Sequence, residues 1–452
     1  MCVFWVRSAR AEAEKGGRFL GGVVLLFFLG VVIRLIVAGA DKGQGIWGKA
    51  VVVGKSEVDY LYEPYMEIGD SYQYLLLAKG LREKGKFSWD EGAVTFRLPG
   101  YPVFLALLGN NIRLVRLVQV LIAGLSGVLV GLIGKKLFGW QAGLIGAGLF
   151  TFDLSQIFYS GMVMSETVFV FLTVFGVFVF VQGQDWLSGL VLGIAAMTRP
   201  IGMLVFVPLV VYRLVHKPTN WRKMSLFLGL FFLFPGLWLI RNYRCFHRLG
   251  LTSNDGYNLV YTTAALVMAD KEHISLDSAR AMLAKRLMRE ANGDNPLALG
   301  ARMRAMGQEV VLRAPGQFLK VYLKGVVTIL LGVKADDLMM RITQPDPGRA
   351  GVSEFWERAD KAQVGQGKRW VIFILSCGEL LLLGVGLVSA VISFWQIPDR
   401  WWWFVFASLS LYFIFGSAPL ADARFRMPAM PFIYLLAGAG FKVKASEMEK
   451  FR

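Results

Sequence analysis

Two carboxylates and six arginines carry most of the chemistry that can be read from this chain. Asp70 opens the stretch Gly69-Asp-Ser-Tyr-Gln-Tyr-Leu-Leu-Leu-Ala-Lys79, and Glu166 heads an otherwise apolar run in Met164-Ser-Glu-Thr167. Taken alone, Asp70 could be a helix cap, favoured by the positive end of the helix dipole. Glu166 could be a buried ion pair or a boundary residue, but an acid at the edge of a membrane helix is costly and marks a site by default. Arg97, Arg199, Arg241, Arg244, Arg424 and Arg426 fall at the predicted outer ends of apolar segments. Single arginines in such places can snorkel toward lipid headgroups. Gathered on the side of two acids, they fit an anionic substrate, since the guanidinium fork binds two phosphate oxygens at once.

One reaction uses both sets. A sugar carried on a polyprenyl phosphate in the bilayer is transferred to an acceptor hydroxyl. A carboxylate accepts the hydroxyl proton, and cations stabilise the charge that develops on the departing lipid phosphate. The carrier supplies the leaving group, which agrees with the absence of any Gly-rich loop of the ATP-binding kind from the sequence.

The elements that must position these groups are predicted to be membrane helices. The chain has 452 residues, 55% of them hydrophobic, and a mean hydropathy of +0.52. Its apolar blocks approach the length of about 17–25 residues that a bilayer requires. The expected fold class is all-α: a polytopic integral membrane protein of about 10–11 transmembrane helices, with amphipathic interfacial helices in the first extracytoplasmic loop. Seven spans are expected before residue 241. They begin at Phe19–Ala40, continue through Arg113–Gly134, and include Trp140–Phe158 as a single crossing. Within the first loop, Tyr72–Lys84 is expected to lie along the membrane with Leu75, Leu76, Ala78 and Leu81 on its apolar face. Phe318–Val333, interrupted by Lys320 and Lys324, is expected to be interfacial or re-entrant, and Val371–Trp395, Trp401–Phe415 and Met427–Phe441 to cross. The chain thus divides into a module over 1–240 whose catalytic loop is 41–97, a long loop region over 241–369, and C-terminal helices over 370–452.

Forty-nine Lys and Arg against 32 Asp and Glu give a net charge of +17. Much of the excess lies in short loops such as Arg213–Lys223 and in the tail after Phe441, the mark of the cytoplasmic side. No nucleic-acid partner is needed to explain it. The N-terminus is therefore expected in the cytoplasm and the acids outside it, in a cell (inner) membrane. Three scattered cysteines and three scattered histidines exclude a disulfide framework or a histidine-based metal site.

Several stretches together resemble the GT-C glycosyltransferases of bacteria, nearest to the protein O-mannosyltransferase and lipid A aminoarabinose transferase group. They are Gly69-Asp-Ser-Tyr-x-Tyr, Gly85-Lys-Phe-Ser, Arg97-Leu-Pro-Gly-Tyr-Pro, Arg116-Leu-Val-Gln, Lys136-Leu-Phe-Gly and Phe158-Tyr-Ser-Gly-Met-Val-Met-Ser-Glu-Thr. Thr198-Arg-Pro, Arg241-Asn, Ser253-Asn-Asp-Gly-Tyr-Asn-Leu and Arg424-Phe-Arg-Met-Pro follow in the same order. The resemblance implies an inverting transferase that draws on a polyprenyl-phosphate sugar outside the cytoplasm. By position, Asp70 corresponds to the general base, Glu166 to a second acid that orients the acceptor or assists a metal, and Arg424 and Arg426 to a basic pair near the donor phosphate. Arg97, Arg199 and Arg241 correspond more loosely to that phosphate role. Tyr72, Tyr101 and Asn258, inside the same motifs, are candidate substrate contacts.

The resemblance admits a divalent cation without requiring a cofactor, and it leaves the acceptor open among glycolipid, polysaccharide and protein. One departure stands out: protein mannosyltransferases usually pair two acids in the first loop, and here Ser71 follows Asp70. Two other functions use the same residue types. A lipid-linked glycan flippase or transporter should show internal repeats, which the sequence lacks, and an O-antigen-type polymerase or ligase would rely on loop arginines more than on a first-loop acid.

Overall fold

The computed structural model describes residues 2–40, 67–89, 94–216, 220–290, 295–333, 366–420 and 422–441. The expected cytoplasmic cations Lys217, Lys442, Lys444, Lys450 and Arg452 lie outside the described residues, as do residues 41–66 of the first loop and 334–365 of the long loop region.

The described chain is built of helices, with no β-strand among its elements. Among the described residues five helices are long and apolar enough to cross a membrane: Glu14–Gly39, Ile112–Phe138, Trp221–Phe246, Trp370–Gln396 and Arg400–Leu420. Shorter apolar helices lie at Glu166–Val181, Asp185–Ala196, Pro200–Val215 and Met430–Gly440. The protein is thus an all-α polytopic membrane protein.

Two expectations need correction. The crossing expected over Trp140–Phe158 is two helices, Trp140–Thr151 and Leu154–Ser160. The break comes at Phe152–Asp153, because the Asp153 carboxylate accepts the Gln156 backbone N–H at 2.9 Å and caps a new helix there. The first-loop helix runs from Glu67 to Lys84 and buries Tyr74, Leu77 and Ala78, whereas Leu75, Leu76 and Leu81 are half-buried. The inward face is therefore rotated from the one expected.

At the centre lies Met430–Gly440, buried along nearly its whole length against the helices Trp140–Thr151, Ile112–Phe138 and Gln366–Gln396. In lipid the drive for helix association is close packing through small residues. A Cβ on Gly438 would stand 2.2 Å from the Ala142 carbonyl oxygen, and one on Gly440 would stand 2.0 Å from that of Ser389.

On the side of the first-loop helix, part of the polar region after residue 250 folds around a core of its own, including Val260, Leu283, Leu287, Met303 and Met306. Its helices are Leu276–Glu290 and Pro296–Leu312. Substituting Gly438→Val should destabilise the protein by about 1–3 kcal/mol through overpacking. A detergent-solubilised variant should unfold several degrees below the wild type, and an unchanged melting temperature would refute the tight crossing.

Candidate active site

The first-loop helix is fastened before it presents its acid. Ser71 Oγ donates to the Val163 carbonyl at 2.9 Å, and the Tyr74 hydroxyl lies 3.3 Å from Ser165 Oγ. So held, Asp70 points at two guanidinium groups. One carboxylate oxygen is paired with Arg97 Nη2 and the other lies 3.5 Å from Arg424 Nη1. Its partners are thus arginines from distant parts of the chain. Arg97 is itself fixed: its Nε donates to Gln73 at 2.8 Å, and its guanidinium lies over the rings of Tyr74 at 5.2 Å and Phe96 at 5.1 Å.

The segment that carries Arg97 is tied down from behind. Ser253 N–H donates to the Thr95 carbonyl at 3.1 Å and the Thr252 hydroxyl to that of Phe96 at 2.8 Å. Arg241 donates to the carbonyls of Val94 at 2.9 Å and Phe87 at 3.2 Å. Arg241 therefore spends its guanidinium on the loop backbone.

Glu166 stands alongside, 1% exposed. Its Oε1 is 2.5 Å from Arg199 Nη1, and the same Arg199 nitrogen donates to Ser165 Oγ at 3.2 Å. Its Oε2 is buried with no hydrogen-bond partner. The turn carrying Arg199 abuts the turn after Arg97, where Gly100 N–H donates to the Met197 carbonyl at 2.8 Å. A Cβ on Gly100 would come within 2.6 Å of that oxygen, so the Pro-Gly-Tyr-Pro motif requires a glycine there. Phe425 lies under both Arg199, at 5.6 Å, and Arg424, at 4.9 Å.

Arg424 and Arg426 do not act as a pair. They share the one-turn 3-10 helix Ala423–Arg426, capped by Asp422, whose carboxylate accepts the Arg424 backbone N–H at 2.7 Å. With about three residues per turn, positions two apart point to different sides. Arg424 faces Asp70. Arg426, 2% exposed, turns inward to Glu379, to Ser155 Oγ at 3.4 Å, and to the carbonyls of Ile329, Leu330 and Gly332. The structure therefore does not bring Arg426 to the cluster. Its partner Glu379 was not singled out from the sequence, although a lone acid inside the apolar run 371–395 was a legible signal.

The remaining candidates occupy supporting places. Tyr101 is fully buried, donates to Gln119 at 2.7 Å and meets the Tyr74 ring edge-on at 4.8 Å. Tyr72 is half-buried on the first-loop helix. Asn258 begins the π-helical turn Asn258–Ala264, next to Tyr257, whose ring meets Phe96 at 5.5 Å. Arg244 is exposed near the end of Trp221–Phe246.

The cluster joins three guanidinium groups, of Arg97, Arg199 and Arg424, to two carboxylates. Burial pushes the Asp70 carboxyl up, but Arg97 and Arg424 pull it down further, so that it lies below the usual carboxylate range. Burial works against the charge on Arg97 and Arg424, and the nearby carboxylates, Asp70 first and for Arg424 also Glu166 and Asp422, more than restore it, holding both above the ordinary arginine value. Among the described residues no three His, Cys, Asp or Glu side chains converge. With each acid already neutralised by arginine, the described residues alone do not fit a divalent cation.

Comparison with known proteins bears out the GT-C resemblance at the level of family model and fold. The family model for dolichyl-phosphate-mannose-protein mannosyltransferase matches residues 101–239. The archaeal oligosaccharyltransferase AglB from Archaeoglobus fulgidus, in complex with an inhibitory peptide and a dolichol-phosphate, superposes with a TM-score of 0.52 at 11% identity. That match covers 96% of this chain and 51% of the archaeal one. The apo form of the A. fulgidus oligosaccharyltransferase gives a TM-score of 0.51 at 12% identity, with the same coverage of 96% and 51%. ArnT from Cupriavidus metallidurans, bound to undecaprenyl phosphate, gives 0.38 at 14% identity, covering 93% of this chain and 77% of that one. This chain thus spans about half the length of the archaeal enzyme. No curated protein matches it by sequence.

The lowered proton affinity of Asp70 fixes the sign of a pH effect. A carboxyl depressed on folding contributes stability above its unfolded value, near about 3.9, and loses it as pH falls through the lower folded value. The stability difference between wild type and Asp70→Asn should stay flat from about pH 8 to about 5 and shrink only below about 4. Thermal unfolding in nanodiscs across that range measures it, and a collapse already between pH 7 and 5 would contradict the two-arginine clamp.

Proposed function

We propose that this chain is a membrane glycosyltransferase that moves a sugar from a polyprenyl-phosphate carrier to an acceptor hydroxyl, with inversion, on the extracytoplasmic side of a cell membrane. The observation that carries this reading is the clamp of Arg97 and Arg424 on Asp70, with the Glu166–Arg199 pair beside it. The GT-C-like fold and the partial family match support it.

The donor phosphodiester enters toward Arg97 and Arg424, whose forks suit its oxygens. The acceptor hydroxyl stands between Asp70 and the sugar, and Glu166, held beside the cluster by Arg199, is assigned the role of orienting the acceptor. The acceptor oxygen attacks the anomeric carbon while the bond to the phosphate oxygen breaks and its electron pair stays on the lipid phosphate. The hydroxyl proton passes to Asp70. Before reaction the arginines hold Asp70 as a weak base. As charge grows on the phosphate they are drawn toward it, and the proton affinity of Asp70 rises as the proton arrives. Leaving-group departure and proton acceptance are thereby coupled through shared guanidinium groups.

Two variants test this in nanodiscs with radiolabelled polyprenyl-phosphate sugars and a crude membrane acceptor fraction. Asp70→Asn should lower transfer by about 10²–10⁴-fold, the range for loss of a general base, while the protein stays folded. Most of the activity surviving in that variant would remove Asp70 from the role. Arg424→Ala should raise the donor KM by roughly 10- to 100-fold, with little change for the acceptor, as expected for loss of a charge-assisted phosphate contact. If no donor yields transfer but one binds equally well to wild type and Asp70→Asn, a lipid-linked glycan carrier becomes the better reading.

A further inference from the structure

We propose that Glu379 is a positioning residue for the lipid-phosphate site: through Arg426 it fixes the turn that aims Arg424 at Asp70. The proposal rests on the transferase reading above. Glu379 lies inside the span Trp370–Gln396 and is 6% exposed. A carboxylate there without a partner would cost several kcal/mol, about as much as leaving its cation unpaired. It meets Arg426 Nη2 and lies 3.4 Å from Ser155 Oγ.

Through Arg426, Glu379 holds more than one helix. The other terminal nitrogen of Arg426 donates to the carbonyls of Ile329, Leu330 and Gly332, at and just beyond the end of the helix Pro315–Leu331. One residue further, the Met427 carbonyl accepts from Gln156 Nε2 at 2.8 Å. The turn is closed on itself, since Phe425 N–H donates to the Asp422 carbonyl at 3.1 Å and Met427 N–H to that of Arg424 at 3.2 Å. Such a turn moves as a unit. Arg424 and Arg426 leave it on different sides, so a displacement of Arg426 rotates Arg424 off Asp70. The ionic partner of one arginine thereby sets the aim of the other.

A merely structural ion pair would lower stability without singling out Arg424. The test is a double-mutant cycle on the full chain in nanodiscs, read as binding of polyprenyl phosphate lacking a sugar. Glu379→Gln should weaken binding by at least about 10-fold, and adding Arg424→Ala to it should cost less than about 2-fold more. Because Glu379→Gln leaves Arg426 charged and unpaired, the neutral pair Glu379→Gln with Arg426→Gln is run beside it and should behave alike. Additive losses, or unchanged binding in a folded variant, would overturn the proposal.

A second readout does not depend on the function. A 4-fluorophenylalanine at position 425, between Arg199 and Arg424, should give one sharp fluorine resonance in the wild type and a shifted or broadened one in both Glu379 variants. If the wild type fails to bind polyprenyl phosphate, the transferase reading falls, and this resonance alone decides the positioning role. An unmoved line refutes it.

Discussion

Everything at this site follows from one electrostatic constraint: a carboxylate three-quarters removed from solvent has to be surrounded by positive charge. Asp70 meets it with two guanidinium groups, one 27 residues downstream and one 354. Those separations knit the first loop to the turn before the last described helix. Arg97 must then be backed by Gln73 and by the rings of Tyr74 and Phe96, and its segment by Arg241, Thr252 and Ser253. The polar subdomain after residue 250 is thus the rear wall of the first loop.

Just ahead of Glu166 in the chain lies the short helix Leu154–Ser160, with Ser155 through Ser160 all buried. It exists because Asp153 interrupts what would otherwise be one crossing. The same carboxylate that caps it accepts the Tyr434 hydroxyl at 2.7 Å, which joins the break to the central helix. Gln119 holds the far end through the carbonyls of Ser160 and Met162. The backbone beyond that end carries Val163 and Ser165, the partners of Ser71 and Tyr74, and then Glu166 itself. The segment that follows the broken span therefore fastens the first-loop helix. Ser71, next to Asp70, serves as the fastener.

The sequence made the membrane helices legible because long apolar runs have few other uses, and it made Asp70 and Glu166 legible because acids beside such runs are costly. It did not reveal the break at Asp153, since a capping acid within an apolar stretch looks like one more boundary residue. Nor did it separate Arg424 from Arg426. Two arginines two apart read as one basic patch in a string, and only the pitch of a 3-10 turn sends them to different sides. Arg241 read as a phosphate ligand for a similar reason: charge is visible in a sequence, while the carbonyls that consume it are not. Tyr101 likewise carried a motif position, but its hydroxyl serves Gln119 within the core.

The charge balance of the cluster ties these pieces to the proposed chemistry. Among the described residues the cluster sets three guanidinium groups against two carboxylates, with the Asp422 carboxylate also acting on Arg424. In the proposed reaction a sugar phosphodiester brings one negative charge to these guanidinium groups. On transfer the lipid phosphate becomes a monoester with up to about one further negative charge. At the same moment Asp70 takes the acceptor proton and loses its own negative charge. In the proposed reaction the sum within the site is then nearly the same before and after transfer, and only its location shifts, from the carboxylate to the phosphate across the two arginines beside Asp70. A low-dielectric site penalises a change in net charge far more than a short displacement of it. An arrangement in which the base and the leaving group share the same cations therefore lets the bond break without creating an uncompensated charge in the membrane interface.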